Sequence, residues 1–251
     1  GSLYLHCDPV ASHYLKLILD VIFEPENFRN EIIWKRTSAH SNATTKFGST
    51  HDVILAYGRS SRVHFDPIYG EYDQAYLDRD YRRIDPATGR RFRTGDLRNP
   101  APRPNLMYEY TALNGVTYKP HPNGWACSEA RMRKLDEEGR LYYPSSPDGR
   151  LLLKRFLDEQ KGNPIGSVWT DVDVLHATAR ERRGYPTQKP LALLERIIAA
   201  SCPEGGTVLD PFCGCGTAVV AAERMGRNWI GIDVTYLAIN EIVNRLATET
   251  K

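Results

Sequence analysis

Alternation of apolar and polar positions is clearest in the last quarter of the chain. Thr207-Val208-Leu209 is a short β-branched run that predicts a strand, and Ala218 to Met225 carries a helical pattern. Asn228-Trp229-Ile230-Gly231-Ile232 predicts the next strand. Further upstream, Trp125 to Leu135 predicts a helix capped by Ser128, and Gly149 to Gln160 a second one. Leu141-Tyr142-Tyr143-Pro144 between them is a short strand or turn, and the polar stretch Thr37 to Phe47 a connecting loop. There is no internal repeat and no low-complexity tract.

Between the strand at 207 and the helix at 218 lies Asp210-Pro211-Phe212-Cys213-Gly214-Cys215-Gly216-Thr217. Glycines at 214 and 216 permit positive φ and let a ligand approach the backbone closely. Asp233 follows the second strand, about 20 residues past the glycines, where a βαβ nucleotide site holds a ribose hydroxyl pair. Asp233 is equally suited to cap the helix that begins near Thr235, and the two roles are compatible. The dinucleotide fingerprint calls for Gly or Ala three residues after Gly216, and that position is Val219, so a pyrophosphate site is disfavoured. Taken alone, the turn also fits a structural tight turn or an unrelated α/β nucleotide site.

Asp210-Pro211-Phe212-x-Gly214-x-Gly216-Thr217 resembles the S-adenosylmethionine turn of the DNA methyltransferases that alkylate adenine N6 or cytosine N4. The resemblance continues upstream in Tyr185-Pro186-Thr187-Gln188-Lys189-Pro190 and the helix-like Leu191 to Ile198, which resemble the segment before the cofactor turn in the family's β-type order. Ala238 to Leu246 resembles the helix after the second strand. Ser2 to Asp8, Glu31 to Arg36 and His51 to Tyr57 resemble the strand after the catalytic one and the two that follow it. Roughly half of the chain is covered.

This resemblance implies an α/β fold: a circularly permuted, Rossmann-like class I methyltransferase sheet of order 3-2-1-4-5-7-6, with an inserted target-recognition subdomain. It divides the chain into residues 1–58, the strands after the catalytic loop; 59–168, the DNA-recognition insert; and 169–251, the cofactor half. Implied cofactor-binding residues are Asp210, Pro211, Phe212, Gly214, Gly216, Thr217 and Asp233, with Thr187, Gln188 and Lys189 near the methionine end. The implied reaction is direct methyl transfer from S-adenosylmethionine, without a metal, to the exocyclic amine of a base turned out of the duplex. Adenine N6 is favoured over cytosine N4 on family frequency.

One expected motif is absent. The family's catalytic tetrapeptide, Asp/Asn/Ser-Pro-Pro followed by an aromatic, does not occur. Asp8-Pro9-Val10-Ala11, Asp66-Pro67-Ile68-Tyr69 and Asn99-Pro100-Ala101-Pro102 come nearest, and each lacks the second proline. Asp66-Pro67 reads as turn chemistry. No catalytic residue is therefore assigned to this chain. The family's strands three and four are expected to be missing too, and unpaired backbone inside a buried sheet is costly. The sequence is accordingly expected to be part of a longer enzyme or one partner of a split one, unless Gly1-Ser2 marks a cloning remnant. Other classes left open are a binding-only or partner-activating subunit and a small-molecule or protein methyltransferase.

Composition changes little. Of 251 residues, 41% are hydrophobic and 25% charged, values ordinary for a globular domain. The five cysteines are scattered without metal spacing, which predicts free thiols and a reducing cytoplasm; Cys213 and Cys215 are expected to pack inside the turn. No apolar run is long enough to cross a bilayer. His6 and His13 are read as structural rather than catalytic.

A net charge of +2 does not by itself indicate a nucleic-acid partner, whereas charge placement does. Arginines crowd residues 79–103 among prolines and tyrosines, and arginine suits phosphates and guanine edges. Arg82, Arg83, Arg90, Arg91 and Arg93 are expected to contact double-stranded DNA, with Arg182 and Arg183 approaching the backbone. Acids at 78, 80, 85 and 96 offer the alternative of a solvated, self-paired surface. A homodimer is left open.

Overall fold

The uninterrupted apolar run Val53-Ile54-Leu55-Ala56-Tyr57 becomes, in a computed structural model of the chain, a strand buried on both faces. Such runs belong to strands covered on both sides. The structure describes residues 1–38, 45–146, 149–176 and 178–249. The loop expected at 37–47 therefore lies partly outside the described residues.

In chain order the first elements are β1 (Ser2–Cys7), α1 (Pro9–Phe23), β2 (Phe28–Lys35), β3 (His51–Gly58) and β4 (Tyr69–Gly70). Then come α2 (Gln74–Asp80), β5 (Arg83–Ile84), β6 (Arg91–Gly95), β7 (Tyr110–Thr111), β8 (Thr117–Tyr118) and α3 (Glu129–Glu137). They are followed by β9 (Leu141–Tyr142), β10 (Leu152–Phe156), β11 (Asn163–Pro164) and β12 (Val168–Trp169). The last are α4 (Leu191–Ser201), β13 (Thr207–Asp210), α5 (Thr217–Arg224), β14 (Asn228–Gly231) and α6 (Tyr236–Glu249).

Two compact units result, one from Gly1–Tyr69 with Pro164–Lys251 and the other from Gly70–Asn163. The second is narrower than the expected 59–168, because β12 adds to the first unit's sheet, with Val168 beside Ile33 and Trp169 beside Trp34.

In the first unit β3 lies between antiparallel β1 and β2, and β12 pairs parallel to β2. Alternation sends Val53, Leu55 and Tyr57 towards α1, where Leu19 is buried with them. Ile54 and Ala56 face the other way, with Ile32, Trp34 and Leu193 of α4. Each large side chain so buried is worth about 1.5–3 kcal/mol. Asp8 starts α1 by accepting from the Val10 and Ala11 amides at 2.8 and 3.0 Å. The opposite side of α4 places Leu191 and Ile198 against Val220, Ala221 and Ala222 of α5.

β13 and β14 form a separate parallel pair. The order β1-β3-β2 is the expected 5-7-6, and β13-β14 the expected 1-2. Among the described residues β1 pairs only with β3, and β13 only with β14.

The second unit corrects one predicted element. Gly149 to Gln160 is not a helix: β10 pairs antiparallel with β6 and β9 and is followed by a 3₁₀ turn at Leu157–Glu159. Phe156 is buried on the sheet against Phe92, and such cross-strand packing overrides a short helical pattern. The helix predicted after Ser128 is α3, whose Met132 and Leu135 enter a core with Trp125, Tyr110, Leu141 and Leu151.

Candidate functional site

β13 ends at Asp210, in register with Gly231 of β14, so both acids of the predicted site leave the same end of a parallel pair. The chain between them is short and closely bonded. The Phe212 amide donates to the Asp210 carboxylate at 3.1 Å, and the Cys213 amide to the Ile232 carbonyl at 3.0 Å. Gly216 donates to the Cys213 carbonyl at 2.7 Å. Gly214 and Gly216 take φ of 51° and 74°, which a side chain would oppose. Space makes the same demand, since a Cβ on Gly216 would lie 2.5 Å from Ile242 Cγ1.

The two strand ends are linked through Asp233. One carboxylate oxygen accepts from the Gly214 amide at 2.9 Å; the other accepts from the amide and hydroxyl of Thr235, both at 2.9 Å. Bonds from Thr235, and then from Gly214, hold this carboxyl below the usual range. Asp233 thus orders Thr235, whose hydroxyl accepts from the Ala238 amide at 3.2 Å and caps α6 in place of the acid; the Asp233 oxygen bonded to Gly214 keeps one acceptor site for a ligand. Asp210 is displaced oppositely: burial pushes its carboxyl up, with the nearby Asp233 charge adding to the effect. The two acids bracket the turn with different proton affinities. Phe212 is 88% exposed at its tip, whereas Thr217, Cys213 and Cys215 are buried beneath.

Arg245 of α6 is fully buried and reaches the underside of this turn, donating to the Cys215 carbonyl at 2.9 Å and to the Thr217 hydroxyl at 3.4 Å. Glu249 one helical turn on pairs with it at 3.1 Å. Sequence reading missed this support, because its partners lie 28 and 30 residues away.

The segment predicted to meet the methionine end behaves unevenly. Lys189 is half-buried, donates to the Thr187 carbonyl at 3.0 Å, and is pushed down by burial with Asp52, Arg36 and Cys215 in its field. Thr187 has a positive φ of 64°, and its hydroxyl bonds the Pro186 carbonyl at 2.5 Å. Gln188 is engaged internally: its oxygen accepts from the Arg183 amide at 2.8 Å and its nitrogen donates to Glu181 at 2.6 Å. Tyr185, which opens that segment without a binding role assigned from the sequence, places its ring against Gly214, 3.1 Å from where a Cβ would sit.

Next to Lys189 is a cluster that sequence reading did not assemble. His6 bonds Asp52 at 2.8 Å, and Arg36 meets the other oxygen of that carboxylate at 2.8 Å. All three lie at the carboxyl ends of β1 and β2 or the adjoining start of β3, the end at which α/β sheets receive ligands. The partner of His6 is thus Asp52, 46 residues away in sequence.

The arginines separate into engaged and unengaged groups. Arg90 pairs with Asp158 and Glu159, both at 2.7 Å. Arg91 donates to the Tyr81 and Leu77 carbonyls, each at 3.0 Å, and Arg83 to the Tyr142 hydroxyl at 2.9 Å. Arg183 is held by Glu249 and Glu241. Arg82, Arg93 and Arg182 form no ion pair among the described residues. Of the acids offered as alternative partners, Asp80 pairs with Arg79 at 2.7 Å, Asp96 with Arg98 at 2.8 Å and Asp78 with Arg91 at 3.5 Å, while Asp85 pairs with Lys154.

Two parallel strands joined by a glycine turn and helix, with an acid closing each strand, define a Rossmann-like α/β ligand site. The DNA methylase family of N6 and N4 methyltransferases matches residues 1–244, and the chain belongs to that family. It is 27% identical over 249 residues to the type II methyltransferase M.EcaI of Enterobacter cloacae, covering 98% of this chain and 53% of that protein. It is 37% identical over 150 residues to the type II methyltransferase M2.DpnII of Streptococcus pneumoniae, covering 60% of this chain and 48% of the relative. The chain thus spans about half the length of these curated relatives. Among solved structures, the M1.HpyAVI–SAM complex aligns with 98% of this chain and 74% of that one, at a TM-score of 0.48 and 16% identity. Among the described helices, none is long and apolar enough to cross a membrane.

Proposed function

We propose that this chain forms the cofactor-binding and DNA-contacting portion of an enzyme that methylates an exocyclic amino group of a flipped DNA base, with adenine N6 the favoured target. The observation that carries the proposal is the Asp233 carboxylate bonded to the Gly214 amide, which joins the glycine turn to the end of the second strand. Membership of the DNA methylase family supports it.

The residues present fit S-adenosylmethionine. Gly214 and Gly216 leave the backbone open to close approach. Asp233 keeps one acceptor site for a ribose hydroxyl, on the oxygen bonded to Gly214, and Phe212 offers an exposed ring. Lys189 would direct its ammonium towards the methionine end. When bound, S-adenosylmethionine supplies an electrophilic sulfonium methyl group. The protein's task is then chiefly to hold donor and amine in line and exclude competing water.

No residue here is assigned to grip the target amine. Asp8, the acid of one partial tetrapeptide, is committed to capping α1. Among the described residues β1 and β13 each pair with a single neighbour, and each keeps an edge able to take a further strand. Leu209 of β13 and Ile230 of β14, paired in register, leave an apolar face of that strand pair more than half exposed.

The test is transfer of labelled methyl from S-adenosylmethionine to duplex DNA and to free nucleosides by the full polypeptide that carries this chain. Labelled duplex with unlabelled nucleoside is expected. Labelling of nucleoside or protein alone would contradict the proposal.

A further inference from the structure

The sheet β5-β6-β10-β9 treats its cations differently on its two faces. On one lie Phe92, Phe156, Tyr142 and the basic residues around them, each with a partner in the chain: Arg90 with Asp158, Arg140 with Glu159, Lys154 with Asp85 and Arg83 with Tyr142. The charges on that face are paired, although the Nε of Arg140 is itself buried without a hydrogen-bond partner.

Those on the other face are not. Arg93 of β6 and Arg155 of β10 are directly opposite in the antiparallel register. Arg82 immediately precedes β5, where Arg83 stands opposite Phe92, and is exposed. Like charges facing each other across strands are unfavourable. None of the three forms an ion pair among the described residues; Arg93 has only the Tyr81, Tyr76 and Tyr72 side chains in its field. Arg91, on the same face, is occupied by the Tyr81 and Leu77 carbonyls and, at 3.5 Å, by Asp78.

Two further features mark this row. The Nε of Arg93 and the hydroxyl of Tyr81 are buried without a hydrogen-bond partner, and Arg93 lies over the Tyr81 ring at 5.9 Å. Tyr72 and Tyr76 complete an aromatic cluster around Tyr81, with centroids 6.1 and 6.0 Å from it. Gly95 has no side chain where Arg155 crosses the strand: a Cβ there would lie 2.5 Å from Arg155 Nε. The glycine lets Arg155 lie along the sheet beside Arg93.

We infer that Arg82, Arg93 and Arg155 form a phosphate-binding row by which this unit holds the backbone of double-stranded DNA. This rests on the methyltransferase reading above and specifies which surface of the insert meets the duplex. Unpaired guanidinium groups spaced across neighbouring strands suit successive phosphate oxygens, each bound bidentately. The row reads no sequence, since phosphate contacts set position rather than specificity. Arg155 lies in the stretch expected to be helical, which is why the sequence did not nominate it.

Duplex binding, followed by fluorescence anisotropy against salt concentration, tests the row in the full polypeptide. Each neutralised phosphate contributes about 0.9 to the salt slope, so Arg155→Ala and Arg82→Ala should each lower the slope by about 1 and weaken binding about fivefold near ~0.15 M salt. Both residues are exposed, so the fold should survive; Arg155→Lys should retain the slope, and Arg133→Ala on α3 should behave as wild type. Unchanged slopes in both alanine variants, with wild type binding normally, would overturn the row and leave the methyltransferase reading standing. Failure of wild type to bind duplex at low salt would overturn both.

Discussion

Arg245 of the last helix donates to the backbone carbonyl of Cys215 at 2.9 Å, from a position with no solvent exposure. A buried guanidinium is tolerated only where hydrogen bonds and an opposite charge compensate its lost hydration. Here the glycine turn supplies the acceptor and Glu249 the charge, so the glycine turn and α6 hold each other in place. Arg245→Leu should cost about 3 kcal/mol of stability in a denaturant melt, because it strands that acceptor and weakens the pairing of Glu249.

The two reasons for glycine at 216 can be separated. Gly205 has a similar φ of 72° with nothing within 4 Å of an added Cβ, whereas Gly216 adds the contact with Ile242. Gly205→Ala should therefore cost about 1 kcal/mol and Gly216→Ala about 2–4 kcal/mol, measured by chemical denaturation.

His6 supplies a pH dependence. Burial, followed by the Lys189 charge, lowers its pKa, so below about pH 6.5 the unfolded chain binds a proton that the folded chain resists. More protons bound when unfolded means that stability falls as pH drops from about 6.5 towards the folded value. Thermal melts should show this loss in wild type and a flatter profile in His6→Gln.

Asp8 begins with the same Asp-Pro pair as a catalytic tetrapeptide, but its carboxylate accepts two amides at the start of α1. Asp8→Ala should lower stability by about 1 kcal/mol. Its methyl-transfer rate, measured below the melting temperature, should equal that of wild type.

What the sequence disclosed was chiefly local. Asp210, the two glycines and Asp233 declare themselves because a βαβ turn imposes its requirements within about 20 residues. Ser128 signalled α3 for the same reason. Contacts made across long separations were hidden: Asp52 is 46 residues from His6, and Asp158 is 68 residues from Arg90. A list of arginines could not separate those already paired from those left over. β10 was misread because Leu151 to Phe156 is too short for periodicity to distinguish strand from helix, and its pairing with β6 decides the matter. α1 was not anticipated: Val10, Tyr14, Leu17, Ile18, Val21 and Ile22 give it an exposed apolar side that blurs the amphipathic pattern.

In the proposed enzyme the glycine turn at residues 210–217, with Asp233, holds S-adenosylmethionine. Calorimetric titration of the full polypeptide with this compound, in wild type and Asp233→Ala, tests it most directly. One cofactor per chain is expected, with affinity at least about tenfold weaker in the variant, which loses a carboxylate–hydroxyl interaction worth about 1.5–3 kcal/mol. A folded wild-type protein that takes up no S-adenosylmethionine, or an Asp233→Ala variant that binds it equally well, would contradict the account.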